Sequence, residues 1–224
     1  MKSMKDKDIH SGSAEPAHTV TTFQEARLQH SDNLRQNVVH AAAALLQEHG
    51  PEAVTVRRVA ERMECSTKII YNLFGKKEGL AKHLYLEGCS VMAQHFEAVP
   101  RQASFEQYFR DLAYVYWDFG ISQSSFYQLM FGGSFSEFKP DGETLQGTAT
   151  ALKQVSGLVE SAIEQGMIQV QDPLLAVRMI WAPLHGVIHL YLGGHIENEE
   201  AAKTLYDHTL SMVIGSLVNK SAKG

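Results

Sequence analysis

From Ser31 to about residue 218, apolar residues return every three or four positions, and almost nowhere do they alternate as a strand would. A helical period sustained over that length leaves one class of solution, helices packed on helices. Leu34, Val38, Ala41, Ala42, Leu45 and Leu46 share the first face, and Gly50-Pro51 ends that helix after His49. Thr55 stands where an N-cap belongs, ahead of 56-VRRVAERM-63 with Val56, Val59, Ala60 and Met63 inward. Ser66 or Thr67 caps a third segment, Gly75 stops it, and 77-KEGLAKHLYLEGCSVMAQHFEAV-99 restarts. Further helices read near 104–120, 123–131, 144–165, 173–192 and 199–218. The expectation is an all-α chain of about nine helices.

Residues 1–30 are polar, mixed in charge and poor in large aliphatics, the composition of a flexible tail. Thr22 with Glu25 has capping-box spacing, so helix can begin inside that segment. The linker over 132–143, with Gly132, Gly133, Pro140 and Asp141-Gly142, reads as the mobile loop of the chain. The opening MKSMKDKDIHSGSAEPAHTV has lysines without an apolar run behind them, so no export signal is expected. Cys65 and Cys89 form no CxxC pair, which fits a reducing cytoplasm. The most apolar stretch, 173-PLLAVRMIWAPLHGVIHLYLGG-194, is interrupted by Arg178, Pro183, His185 and His189. A buried helix is expected there, with no membrane span.

The net charge of −5 argues against a polyanionic partner, but its distribution does not. Residues 55–82 hold Arg57, Arg58, Arg62, Lys68, Lys76, Lys77 and Lys82 against Glu61, Glu64 and Glu78, while 89–224 is rich in acids. Inside the basic block lies 65-CSTKIIYNLFGKK-77. At 100° per residue, Ile69, Ile70, Leu73 and Phe74 fall in one arc, expected to be buried, and Thr67, Lys68, Tyr71 and Asn72 fill the other. The outer arc carries no acid. Hydroxyls and helix amides suit phosphate, and lysine and asparagine suit base edges. Two short helices joined by a tight turn, the second polar outward, are the ingredients of a helix-turn-helix. The same pattern also describes a helical hairpin inside a larger bundle.

The string 55-TVRRVAERMECSTKIIYNLFGKKEGL-80 resembles the N-terminal domain of the TetR family of transcriptional regulators, whose signature runs T-x-x-x-IA-x-x-x-GVS-x-x-x-x-Y-x-x-F-x-x-KE-x-L. Thr55, Val59-Ala60, Ser66, Tyr71, Phe74, Lys77-Glu78 and Leu80 fall at matching spacing, and 40-HAAAALLQEHGPEAVTV-56 matches the helix before them. Glu64 departs, because the family usually has Gly in the turn. A glutamate there must take a strained conformation or the turn must differ slightly, and an acid beside DNA would repel phosphate. The resemblance implies a flexible tail over 1–30, a helix-turn-helix DNA-binding domain over 31–78, and a ligand-binding and dimerisation domain over 79–218. It implies Thr55 and Arg57 at backbone phosphate, Ser66, Thr67 and Lys68 at bases, and Tyr71 and Lys77 at phosphate. Asn72 and Lys76 complete the DNA-binding set.

The string 181-WAPLHG-186 resembles the W-x-x-L-H-G of some family members. The implied partners are a palindromic double-stranded DNA operator, a second copy joined through the helices near 173–192 and 199–218, and an unidentified small apolar effector. Tyr114, Trp117, Phe126, Met130, Phe131, Trp181, His185 and His189 are the candidate lining of an effector pocket, and an aromatic stripe of this kind equally describes ordinary core. Pro183 should kink its helix and shape the pocket wall. His185 and His189 have the spacing of a metal pair but no third ligand, so no metal is expected, and no cofactor. No GxSxG, HExxH or P-loop string occurs, so the expectation is a repressor and not an enzyme. A helical small-molecule or lipid-binding protein, or an enzyme using the same pocket, is the alternative.

Overall fold

Thr22 and Glu25 close the first helix reciprocally. The Glu25 amide donates to Thr22 Oγ1 at 3.1 Å, and the Thr22 amide donates to the Glu25 carboxylate at 3.0 Å. That capping box starts α1 at Phe23, so residues 23–30, assigned above to a flexible tail, are helical, and α1 runs Phe23–His49. The computed structural model describes residues 22–102, 104–133 and 138–217; the rest of the expected tail, and part of the expected mobile linker, lie outside them.

Gly50, at φ 76°, ends α1, and a short 3-10 turn over Pro51–Ala53 leads to Thr55. Thr55 is the N-cap of α2 (Val56–Arg62), its hydroxyl oxygen accepting from the Arg58 amide at 3.2 Å. The turn that follows has both bonds of a Schellman motif. The Cys65 amide donates to Ala60 O at 2.9 Å and the Glu64 amide to Glu61 O at 3.1 Å. That geometry needs a left-handed residue at position 64, and Glu64 supplies it at φ 50°, the one positive-φ non-glycine among the described residues. The strain anticipated from the sequence is present.

Then come α3 (Thr67–Phe74), α4 (Lys77–Glu97), α5 (Phe105–Ser122) and α6 (Ser124–Phe131). The helix expected over 144–165 is two: α7 (Gly142–Ala151) and α8 (Lys153–Glu164). The stretch 142-GETLQGTATA-151 holds two glycines and three threonines. Thr148 and Thr150 donate back to the carbonyls of Thr144 and Gln146, which weakens and bends a helix. The last two helices are α9 (Pro173–Leu192) and α10 (Glu199–Leu217), so the described residues form ten α-helices and no strand. Asp172 caps α9, accepting from the Leu174 and Leu175 amides. The helix continues through Pro183, over the bounds expected from the sequence.

Helix α4 ties the layers together. It buries Leu80, Leu84, Met92 and Phe96 along its length and packs on α1 and α3 as well as on α5, α6 and α7. The buried core therefore runs without a gap from Val38 to Leu217 across the boundary expected at residue 78. Gly88 admits α6: a Cβ there would stand 2.8 Å from Met130 Sδ. Lys82 clamps the start of α7, reaching Asp141 at 2.7 Å and Glu143 at 2.6 Å. Arg62 pairs bidentately with Glu48, both bonds at 2.7 Å, fixing α2 to α1.

Replacing Glu64 with Gly removes the left-handed strain, for which the cost of a side chain is roughly 1 kcal/mol. Thermal unfolding of Glu64→Gly should rise by about 2–4 °C for a chain of this size, and Glu64→Val should fall.

Candidate nucleic-acid interface and effector cavity

Helix α3 is held by Ile70 and Phe74, which are buried, with Leu73 partly so. Thr67, Lys68, Tyr71 and Asn72 are all exposed, as the helical wheel required. Ile69 is less covered than the wheel implied: it is 38% exposed, at the edge of the apolar arc. The arc that buries is narrower than hydrophobicity suggested. Ser66 occupies the N-cap position in extended backbone but makes no side-chain cap bond, so its hydroxyl is not spent on the helix. Lys76 and Lys77 are exposed where α4 begins, and Thr55 is half-buried at the start of α2. Arg57 is exposed and bonded to Glu61 at 2.8 Å, a surface pair too weak to hold it against a phosphate.

In the body, an apolar cavity of about 40 Å³ opens between α4, α5, the α7–α8 junction and α9. Its walls are Phe96, Phe109, Leu112, Ala113, Tyr116, Leu152, Val155, Val177, Ile180, Trp181 and Leu184. Of the eight residues expected to line an effector pocket, Trp181 does. Trp117 packs between Tyr206 and Tyr191, and Tyr114 lies under the Lys203 ammonium, 3.7 Å from its ring centroid. Phe126 and Met130 are buried against Gly88 of α4. The reason is geometric: periodicity marks which residues face inward, not which inward residues border a void.

Phe131 and His185 stand one layer away, in an aromatic cluster with Tyr127 and Trp181. The Trp181 indole donates to the Tyr116 hydroxyl at 2.7 Å, and the Tyr116 and Tyr127 hydroxyls lie 3.2 and 2.6 Å from His185 Nδ1. Burial, reinforced by the neighbouring His189, pushes the His185 pKa down to about 4, so the ring is neutral near pH 7. A neutral ring with Nδ1 unprotonated accepts the Tyr127 hydroxyl. The His185 and His189 rings stack, 5.8 Å apart, instead of converging on a common point. The cavity residues Phe109, Tyr116 and Leu152 were missed from sequence. The hydroxyls of Tyr116 and Tyr127, set on otherwise apolar faces, were the available signal.

Comparison with known proteins agrees with this arrangement. Residues 38–84 match the model of bacterial regulatory proteins of the tetR family, and residues 109–213 match that of the tetracyclin repressor-like C-terminal domain. The chain belongs to the TetR family of transcriptional regulators. A protein of unknown function from Rhodococcus sp. RHA1 is similar in structure, with a TM-score of 0.69 at 17% identity over 92% of this chain and 100% of that one. A TetR family transcription regulator from Marinobacter aquaeolei VT8 gives 0.64 at 14% identity, covering 86% of this chain and 100% of that one. SmeT, the repressor of the Stenotrophomonas maltophilia multidrug efflux pump SmeDEF, gives 0.56 at 21% identity, covering 85% and 93%. No curated protein matches the chain.

The depressed His185 pKa has a signed consequence. Between about pH 4 and the ordinary histidine value of 6.5 the unfolded chain binds a proton that the folded chain does not. The stability this position contributes is complete above pH 6.5 and is lost progressively as pH falls toward 4. Thermal unfolding at pH 5 and pH 7 should show a smaller acid-side loss in His185→Gln than in the parent chain.

Proposed function

We propose that the chain is a homodimeric transcriptional repressor that holds a palindromic operator and is released by a small apolar ligand. The observation that carries this reading is the outer face of α3. It presents Thr67, Lys68, Tyr71 and Asn72 together, without an acid, beside Lys76 and Lys77 at the start of α4. Lys68 and Asn72 suit base edges in the major groove. The Ser66 and Tyr71 hydroxyls and Lys77 suit phosphate, and Thr55 and Arg57 extend the contact along the backbone. Such a regulator works in the cytoplasm and needs no catalytic group.

A second copy has a surface to bind. On α9, Leu175, Met179 and Leu190 are exposed on the arc that also carries Ala182 and Gly186; on α10, Leu205 and Met212 are exposed, Met212 at 70%. A Cβ at Gly186 or Gly215 would meet nothing, so both helices offer small residues for close approach. By length and composition α9 could also cross a membrane, but it packs on α8 and α10 and buries Val177, Ile180, Leu184 and Ile188. Two copies joined here would carry two α3 helices related by a two-fold axis, the symmetry of a palindromic site. The effector would enter the apolar cavity, whose wall includes Phe96 near the far end of α4, and α4 would carry the displacement to the DNA-binding helices.

Fluorescence anisotropy with labelled duplex flanking the protein's own gene, at low and high salt, tests the reading. Lys68→Ala should weaken binding roughly 5- to 100-fold, the range of one lost base contact, and Tyr71→Phe should weaken it a few-fold. Unchanged affinity in both variants would remove the case for this face. Met212→Glu should shift the sedimenting species from dimer toward monomer and weaken operator binding with it; a dimer that persists unchanged would place the subunit contact elsewhere.

A further inference from the structure

Helices α9 and α10 form an antiparallel hairpin, and its exposed side carries imidazoles among apolar residues. His208 is the central residue of α10 (Glu199–Leu217), level with Ala182 and Pro183 at the centre of α9 (Pro173–Leu192). One turn from it on the exposed arc stand Thr204, Leu205, Ser211 and Met212. The exposed apolar residues flank this level on both sides, Leu175 and Met179 opposite Leu190 on α9, and Leu205 opposite Met212 on α10. The same arc of α9 exposes Arg178 and His189. His208 Nδ1 lies 2.8 Å from Thr204 O, so Nδ1 carries a proton and Nε2 is left to accept another.

An isologous contact sets the same face on both sides of a two-fold axis, so the charges of this one face decide what meets what. Helix α9 contains no acid. On α10, Glu199 and Glu200 lie in the first turn, and Asp207 is paired with Lys203 at 3.3 Å. The helices packed against the hairpin add Lys153, Glu160 and Glu164 on α8, and Glu106, Arg110, Asp111 and Asp118 on α5. The loop between α9 and α10 adds His195 and Glu197. Among the described residues no ion pair joins any of these to Arg178, His189 or His208. A second copy seated here brings the same acid-free arcs, with two more imidazoles and another guanidinium.

Resting on the dimer reading above, we infer that the α9–α10 contact is acid-labile: protons taken up by His208 and His189 drive the two copies apart. Docking strips water from the imidazoles and sets like groups against one another, and both effects disfavour the charged ring. The separated copy therefore binds protons that the dimer excludes. The contact is fully stable above the usual imidazole range and is lost as pH falls through it. An acid shift would release the operator without any effector, because a single copy holds one half-site.

Sedimentation equilibrium on the full-length protein tests this, from about pH 7.5 to about pH 6.0 at fixed ionic strength. The parent's dimer dissociation constant should rise roughly tenfold or more, the linkage of one excluded proton over one pH unit. The double variant His189→Gln/His208→Gln keeps polar side chains without the charge, retains His185, and should stay dimeric across the range. His208→Arg carries the charge at every pH and should already be a weakened dimer at the upper end. A parent dimer indifferent to pH, a pH dependence that the double variant retains in full, or a His208→Arg dimer as tight as the parent's would overturn the inference and leave the dimer reading standing. A parent that is monomeric throughout, or a dimer that Met212→Glu leaves unchanged, would overturn the dimer reading and this inference with it.

Discussion

Helix α4 packs against α1 and α3 of the helix-turn-helix and against α5, α6 and α7 of the body. Leu80, Leu84, Met92 and Phe96 of this helix belong to the one buried core that joins the helix-turn-helix to the body. The 21 residues of α4 span about 30 Å at 1.5 Å each. Lys77 stands at one end, and Phe96, at the other, borders the cavity. Lys82 adds a polar clamp to the start of α7, and its ammonium, helped by the Thr144 amide, holds the pKa of the Asp141 carboxyl down at about 2. Close packing makes such a helix move as a unit, because no single side chain can shift without its neighbours.

Two of the faces left uncovered among the described residues differ in chemistry. The outer arc of α3 is hydroxyl, amide and ammonium. The outer arcs of α9 and α10 are leucine, methionine and small residues. A polar arc without acids and an apolar arc with small residues do not compete for the same partner. Burial inside the chain thus sorts the surface into two surfaces of opposite character.

Much of this architecture was legible in the amino-acid order. The helix-turn-helix spacing is local, and caps such as Thr55 and stops such as Gly75 act within a few residues. Glu64 was legible too, because a Schellman turn demands a left-handed residue whatever surrounds it. What failed was whatever depends on partners distant in sequence. Ile69 looked buried because a wheel knows hydrophobicity but not how wide the covering surface is. Phe126 and Met130 looked like pocket wall, and they instead fill the space that Gly88 leaves on α4. The break at Leu152 comes from threonine side chains competing for carbonyls within an apolar pattern that otherwise continues.

The cavity's size has a consequence in time. As it stands the cavity encloses about 40 Å³, so under the proposed reading it would have to widen to admit a bulky ligand. An effector of that kind would bind those molecules whose walls have parted. Its apparent affinity is then its intrinsic affinity scaled by that open fraction. Its arrival rate would level off at high concentration, set by how often Trp181 and its neighbours separate. Under the proposed reading, such a regulator would answer to sustained exposure to its ligand and pass over brief pulses.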